Sequence, residues 1–259
     1  MLAAYRTNTA NLLQNPAAPT TLYTTAQIDN WINIARGQLA GETQCIRYQA
    51  TIPTVIGQRA YNFSAANTGV AATNGIKGII HIRSISYNVG DGAQWIAPRS
   101  WEWFELYALN NPVPENAPPL EWSQFGQGSA GTSTGSGASG SFYLDPPPDI
   151  IYTLNLDCVC YPQALADDTT VEAIPYLWTD AVPFFAAYYA LLSAQTQARQ
   201  ADAQRYYGYY QEFIKRARKA STPSVNSYEY QETDDAAIIN KLGVINRAEG
   251  NTGPRGSVQ

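Results

Sequence analysis

Apolar positions along the chain follow distinct rhythms, and these divide it before any other property is considered. Residues 175–221 carry a helical rhythm: Ala181, Phe184, Phe185, Tyr188, Leu191 and Leu192 recur at i, i+3, i+4 and i+7. After a polar break at 197–200 the rhythm resumes at Ala203, Tyr206, Tyr207, Tyr210, Phe213, Ile214 and Ala217, which predicts a tyrosine-rich helical hairpin. Asp180 suits the positive end of the helix dipole. Lys215, Arg216, Arg218 and Lys219 crowd the negative end before Pro223 stops the helix. Pro183 is tolerated if Thr179 caps the first helix, because a first-turn N–H has no intrahelical partner. An earlier helix is marked by a T-x-x-Q capping box at Thr24 and Gln27 and an apolar stripe at Ile28, Ile32, Ala35 and Leu39; Trp31 lies beside the stripe and Gly41 is expected to end it. Residues 2–14 predict a short helix closed by Asn15-Pro16 and Pro19.

From about Arg47 the period becomes two. Residues 48–63 read as a strand, a turn at Gly57 and a second strand ending near Phe63. Residues 76–89 alternate best, and Gly90-Asp91-Gly92 is expected to turn them into a return strand beginning Gln94-Trp95-Ile96. Residues 100–110 read as a helix capped by Ser100, with Trp103, Phe104 and Tyr107 on one side; 120–125 read as a strand. SFYLDPPPD and IIYTLNLDCVCY are expected to form a β-hairpin turning at prolines 146–148. Two stretches have no rhythm. Residues 126–141 form a Gly/Ser loop too small and polar to pack, and 224–259 form a polar tail that is expected to order only on a partner. The pattern predicts an α+β fold: an α-helical bundle (N-terminal helix plus C-terminal helical hairpin) with an inserted antiparallel β domain and an extended C-terminal tail. The expected bounds are 1–46 for the N-terminal helices, 47–164 for the β domain, 165–221 for the hairpin and 222–259 for the arm.

Composition narrows what such a fold does. The chain has 259 residues, 45% of them hydrophobic, enough for a sizeable core. Only 14% are charged, below the usual quarter, and with 18 Tyr, 19 Gly and 16 Pro this suits a polar but uncharged surface inside an assembly. A net charge of −5 speaks against a free-standing nucleic-acid binder, which needs a basic excess. Cys45, Cys158 and Cys160 make no disulfide framework, and Cys158 and Cys160, two apart in a strand, share a face as small buried residues. Free thiols point to maturation in a reducing compartment. No apolar run reaches the length of a membrane span, and the N-terminus lacks a signal-peptide pattern, so synthesis and assembly in a cytoplasm are expected.

Catalytic signatures are sparse. His81 is the sole histidine, in an apolar strand without a ligand partner at coordinating spacing, and reads as a core or interface residue. H-x-x-x-H and C-x-x-C are missing, and the Gly/Ser loop lacks the lysine of a phosphate-binding loop. Asp167-Asp168 reads as a solvated pair with capping duty. The expectation is a non-enzymatic chain without cofactor or metal.

These pieces together resemble a family. Ile28, Asp29, Trp31, Ile32, Asn33, Ala35, Arg36, Leu39, Glu42 and Thr43, followed by Gly57, Gln58, Tyr61 and Phe63, match the IDxWINxARxxLAxET and GQxxYxF arrangement of head-to-tail adaptor (connector) proteins of short-tailed bacteriophages. The Tyr-Leu-Asp-Pro-Pro-Pro-Asp stretch, Pro162, Leu165, Asp167, Asp168, then Ile174, Pro175 and Asp180 continue the resemblance across residues 20 to 220, the Gly/Ser loop being a departure. The resemblance implies a structural virion protein of the phage neck and tail: a homo-oligomer in a twelve-fold ring under the portal protein. Such a ring continues the channel, through which double-stranded DNA passes without specific binding, and carries tail nozzle and tail fibre proteins; no membrane is involved. In these terms Lys215, Arg216, Arg218, Lys219, Tyr228, Tyr230, Ile238, Ile239 and Leu242 are the expected portal contacts. Trp31, Tyr188, Tyr189, Tyr206, Tyr209 and Tyr210 are the expected subunit interface, and Trp95, Trp101, Trp103 and Trp122 the expected nozzle or fibre contact. A rival expectation is a carbohydrate-binding or hydrolytic β-module of a phage tail, which would need converging carboxylates such as Glu102, Glu105 and Glu121. A single-strand nucleic-acid binder would need a basic groove that the sequence does not carry.

Overall fold

The computed structural model describes residues 1–15, 22–63, 74–89, 92–110, 115–126, 140–193 and 197–221. The expected Gly90-Asp91 turn, most of the Gly/Ser loop and the whole 222–259 arm lie outside the described residues. Two compact units are distinguished, Met1–Ala217 and Arg218–Gln259. The fold is mixed α/β, with helices at both ends of the chain and strands between them.

Helix α1 (Leu2–Leu12) and helix α2 (Thr25–Thr43) open the chain. The capping box starts α2 as its chemistry requires: Thr24 Oγ accepts from Gln27 N, and the Gln27 side chain accepts from Thr24 N. Gly41 does not end the helix. It runs two residues further and closes on Gln44, which takes a left-handed conformation (φ 55°) and donates its N–H to Ala40 O at 2.9 Å. A left-handed backbone is open to a non-glycine residue at modest cost, so a glycine inside the last turn need not be the stop signal.

Seven strands follow: β1 (Arg47–Pro53), β2 (Ala60–Asn62), β3 (Ile76–Val89), β4 (Gly92–Pro98), β5 (Glu121–Phe125), β6 (Ser141–Asp145) and β7 (Thr153–Pro162). Their order in the sheet is β1-β7-β3-β4-β5-β6-β2. Strands β1 and β2 occupy opposite ends of this order, yet only residues 54–59 join them. Seven flat strands would hold the edges about 29 Å apart, more than a link reaching at most about 25 Å can comfortably span. The sheet therefore curls, and the link is pinned where the ends approach: Thr54 N donates to Tyr152 O at 2.8 Å and Gly57 N to Pro148 O at 2.9 Å. Gly57 has φ +74°, the turn conformation that the sequence placed there.

Two strand expectations are corrected. Strands β6 and β7 do not pair with each other; β6 lies between β5 and β2, and β7 between β1 and β3. Prolines 146–148 have no N–H to donate to a ladder, and their carbonyls instead accept from Gly57 and Ala117, so the chain crosses from one end of the curl to the other. The β region is also not wholly antiparallel. Strands β4 and β5 pair in parallel at Ala97↔Glu121 and Pro98↔Trp122, because helix α3 (Trp101–Trp103) and its continuation form a crossover between them. The expected 100–110 helix is capped by Ser100 but widens at Phe104–Ala108 into a π-turn, with Leu109 N bonded to Phe104 O at 3.0 Å.

Alternate residues fill the interior of the curl. Ile85 faces Ile96 and Leu156, Tyr87 faces Leu154, and Ile52 faces Leu154, all buried; Tyr61 stacks on Phe142 with ring centroids 5.2 Å apart. Helices α4 (Ala181–Ser193) and α5 (Gln197–Ser221) end the described chain, with Pro183 in the first turn of α4 where its missing N–H costs nothing. Helix α4 packs on α1 and α2, and α2 packs on β7, where Gly37 lets the Tyr161 ring approach its backbone.

Candidate interaction surfaces

The residues that carried the family resemblance on α2 are anchors within the protomer. The Arg36 side chain is 1% exposed, and its Nη2 and Nε donate to the Glu172 carboxylate at 2.7 and 3.0 Å. Its Nη1 donates to Gln163 O at 2.6 Å and to Asn33 Oδ1 at 3.2 Å. Asn33 in turn accepts from Leu165 N and donates to Leu165 O, and Glu172 also accepts from Ile174 N. One turn of α2 thereby stitches the 163–174 segment to that helix. A buried charge is sustainable here because a carboxylate and two further acceptors satisfy it. Burial and then the nearby Glu172 carboxylate hold the Tyr5 hydroxyl well above its ordinary pKa. Arg6 grips Asp29 with two bonds at 2.6 and 2.7 Å, tying α1 to α2. Asp168 accepts from Ala3 N at 2.7 Å and from the Met1 ammonium at 3.3 Å, while Asp167 accepts from the backbone and hydroxyls of Thr169 and Thr170.

Rings hold α4 to α5. Tyr210 is fully buried 4.7 Å from Phe185, Tyr188 lies 4.7 Å from Tyr207, and Phe184 meets Tyr206, Tyr209 and Phe213. Of the expected interface residues, Trp31 and Tyr210 thus belong to the protomer interior, Tyr188 and Tyr206 are half-buried, and Tyr189 (42%) and Tyr209 (39%) are exposed. Tyr206 Oη donates to Leu12 O at 2.9 Å, joining α5 to α1. An open groove of about 620 Å³ runs along this junction, lined by Leu12, Phe184, Tyr209 and Phe213 and by the carboxylates Asp180 and Glu212. Lys215 and Arg216 are exposed in the first unit; Arg218 and Lys219 are exposed in the second. Tyr228, Tyr230, Ile238, Ile239 and Leu242 lie outside the described residues.

The four tryptophans grouped by sequence do not share one environment. Trp95 is exposed on β4, and Trp122 is buried inside the curl. Trp101 is half-buried against Phe125 and Tyr143, with centroids 4.7 and 4.9 Å away, and the Arg99 guanidinium sits 5.1 Å above the Trp103 ring. Exposed apolar groups fall where an expected strand or helix gives way to a link or turn: Val55, Ile56, Ile150 and Ile151 at the pinned end of the curl, Leu106 and Tyr107 on the π-turn, and Tyr176 and Leu177 before α4. They lie in links rather than in regular strands or helices, where a period carries no facing information.

Reactive chemistry is not assembled by these residues. His81 is half-buried, and burial, with Arg83 nearby, pushes its pKa below the ordinary 6.5. Burial raises the thiols of Cys158 and Cys160, the latter to about 12. Glu121 spends an oxygen on Arg99 Nε at 2.8 Å. Among the described residues no cluster of three or more His, Cys, Asp or Glu could hold a metal ion, and no helix is long and apolar enough to cross a membrane.

The protomer thus carries exposed aromatic and aliphatic side chains on several elements. The family model described as SU10 adaptor protein matches residues 2–234, and the chain belongs to that family, a phage head-to-tail adaptor as its motifs implied. A search of curated proteins returned no match.

Proposed function

We propose that the chain is one subunit of a ring that docks under the portal of a short-tailed phage, extends the DNA channel and provides the platform for the tail nozzle and fibres. The observation that carries this reading is the exposed tyrosine and arginine surface of α5, where Arg205 bonds to Tyr209 and Arg216 lies near Glu212, in a chain that belongs to an adaptor family. Aromatic side chains and arginine favour interface cores, whereas lysine and glutamate do not. A ring needs two different complementary faces per subunit, and Tyr189 and Tyr209 are available for one of them. In this reading residues 1–46 and 165–221 act as one helical bundle with 47–164 as its β insertion, and 222–259 is an extended arm. Lys215, Arg216, Arg218 and Lys219 with Tyr228, Tyr230, Ile238, Ile239 and Leu242 meet the portal, and Trp95, Trp101 and Trp103 with the β region face the nozzle or fibres. The assembled state is a twelve-fold homo-oligomer in the virion neck, built in the host cytoplasm. DNA slides through without being gripped because a net-acidic chain offers phosphates little counter-charge. Electron microscopy of the protein mixed with its portal ring tests this. Twelve-fold density attached to the portal is expected; persistent monomers would overturn the reading.

A further inference from the structure

Among the described residues, the outer edge of β1 carries a hydrogen-bonding row that no other strand pairs with. Cys160 N donates to Ile46 O and Thr54 N to Tyr152 O, and in the β1–β7 register these residues face each other directly. In an antiparallel pair hydrogen-bonded positions alternate, so Tyr48, Ala50 and Ile52 bond to β7 and the amides of Gln49 and Thr51 point away from it. Pro53 fits the same phase, since its missing N–H falls on the outward side. Strand β1 ends the sheet order, and among the described residues nothing pairs with Gln49 or Thr51 on that side. Both side chains are exposed. Such a row is a template for an added strand.

We propose that residues 227–233 of a second copy occupy this edge as an additional strand; this rests on the ring reading above. The segment reads Ser227-Tyr228-Glu229-Tyr230-Gln231-Glu232-Thr233, an alternation in which Ser227, Glu229, Gln231 and Thr233 share one face and Tyr228 and Tyr230 the other. Laid along β1, the first set joins Arg47, Gln49 and Thr51 on the polar face, and the tyrosines extend the face of Tyr48, Ala50 and Ile52. Charge agrees with this. Arg47, ion-paired to Asp157, is exposed on the face of β1 that takes Glu229, so the two charges are opposite in sign. The family match also continues beyond α5 to residue 234, taking in the whole segment and stopping just after it. In this arrangement Tyr228 and Tyr230 link copies in place of the portal contact assigned to them above, which then falls to Lys215, Arg216, Arg218, Lys219, Ile238, Ile239 and Leu242.

Hydrogen exchange of the full-length protein, free and in portal-bound rings, tests the assignment. The Gln49 and Thr51 amides are expected to exchange freely in the protomer and on the order of 100-fold more slowly in rings. Thr51→Pro, which removes an outward donor without touching the β7 ladder, is expected to weaken ring formation where Thr51→Ala does not. Tyr230→Pro rings are expected to lose the protection. Rings in which these amides stay unprotected would overturn the edge contact and leave the ring reading intact. Protection surviving Tyr230→Pro would overturn the named segment. Failure of any copies to assemble would overturn both readings.

Discussion

At the scale of single residues, Arg36 shows how a charged group can belong to a core. Its guanidinium is enclosed, and four acceptors from three stretches of chain converge on it. Truncating it leaves the Glu172 carboxylate without its partner in a site nearly closed to water, so Arg36→Ala is expected to cost about 3–5 kcal/mol, read as a lowered urea midpoint. The double variant Arg36→Met/Glu172→Leu should regain most of that loss, because removing both charges also removes their desolvation cost. In the sequence Arg36 stood out only as one letter of a motif. Glu172 had no signal of its own, since it lies in an irregular stretch far along the chain.

At the scale of elements, helices and strands are joined by short polar contacts whose strength depends on pH. Asp168 receives Ala3 N and the Met1 ammonium at the start of α1, and these bonds hold its carboxyl below the ordinary 3.8. A depressed carboxylate contributes stability above its unfolded pKa and loses it as pH falls through the folded value. The difference in Tm between the native protein and Asp168→Asn is therefore expected to be constant from about pH 7 to about pH 5 and to vanish toward about pH 2. Thermal melts across that range check it; a difference that grew on acidification would contradict the capping role. Elsewhere, local signals placed elements well: the capping box at Thr24, the alternation of 76–89 and the aromatic period of α4 and α5 all mark real elements. Local signals could not pair the strands. Strands β6 and β7 flank a turn-like proline run, yet each finds its partners elsewhere in the sheet.

At the scale of the molecule, the first unit contains the whole curled sheet and the helices packed beside it, up to Ala217. Among the described residues its core runs from Leu2 to Ile214. Because 222–259 is a polar stretch with only scattered apolar residues, deleting it is expected to change the unfolding free energy, read from the urea midpoint, by no more than about 0.5 kcal/mol. The same truncated protein is expected to lose binding to portal rings, measured by co-sedimentation. Portal rings decorated normally by it would refute the role proposed for the arm.

What the sequence determined alone was the set of elements and their order, because hydrogen bonding within a helix and alternation along a strand are written in neighbouring residues. It also determined a low charge and an aromatic excess, which suit a chain that works by contact. Only the tertiary structure decided which aromatics are available for contact. Tyr209 and Tyr210 are neighbours in sequence with the same chemistry, but the helix turns one outward and the other against Phe185. The curl of the sheet likewise arises from pairing between distant strands, and with it came an edge of β1 that no described strand pairs with and the exposed aliphatic links, which no local pattern encodes.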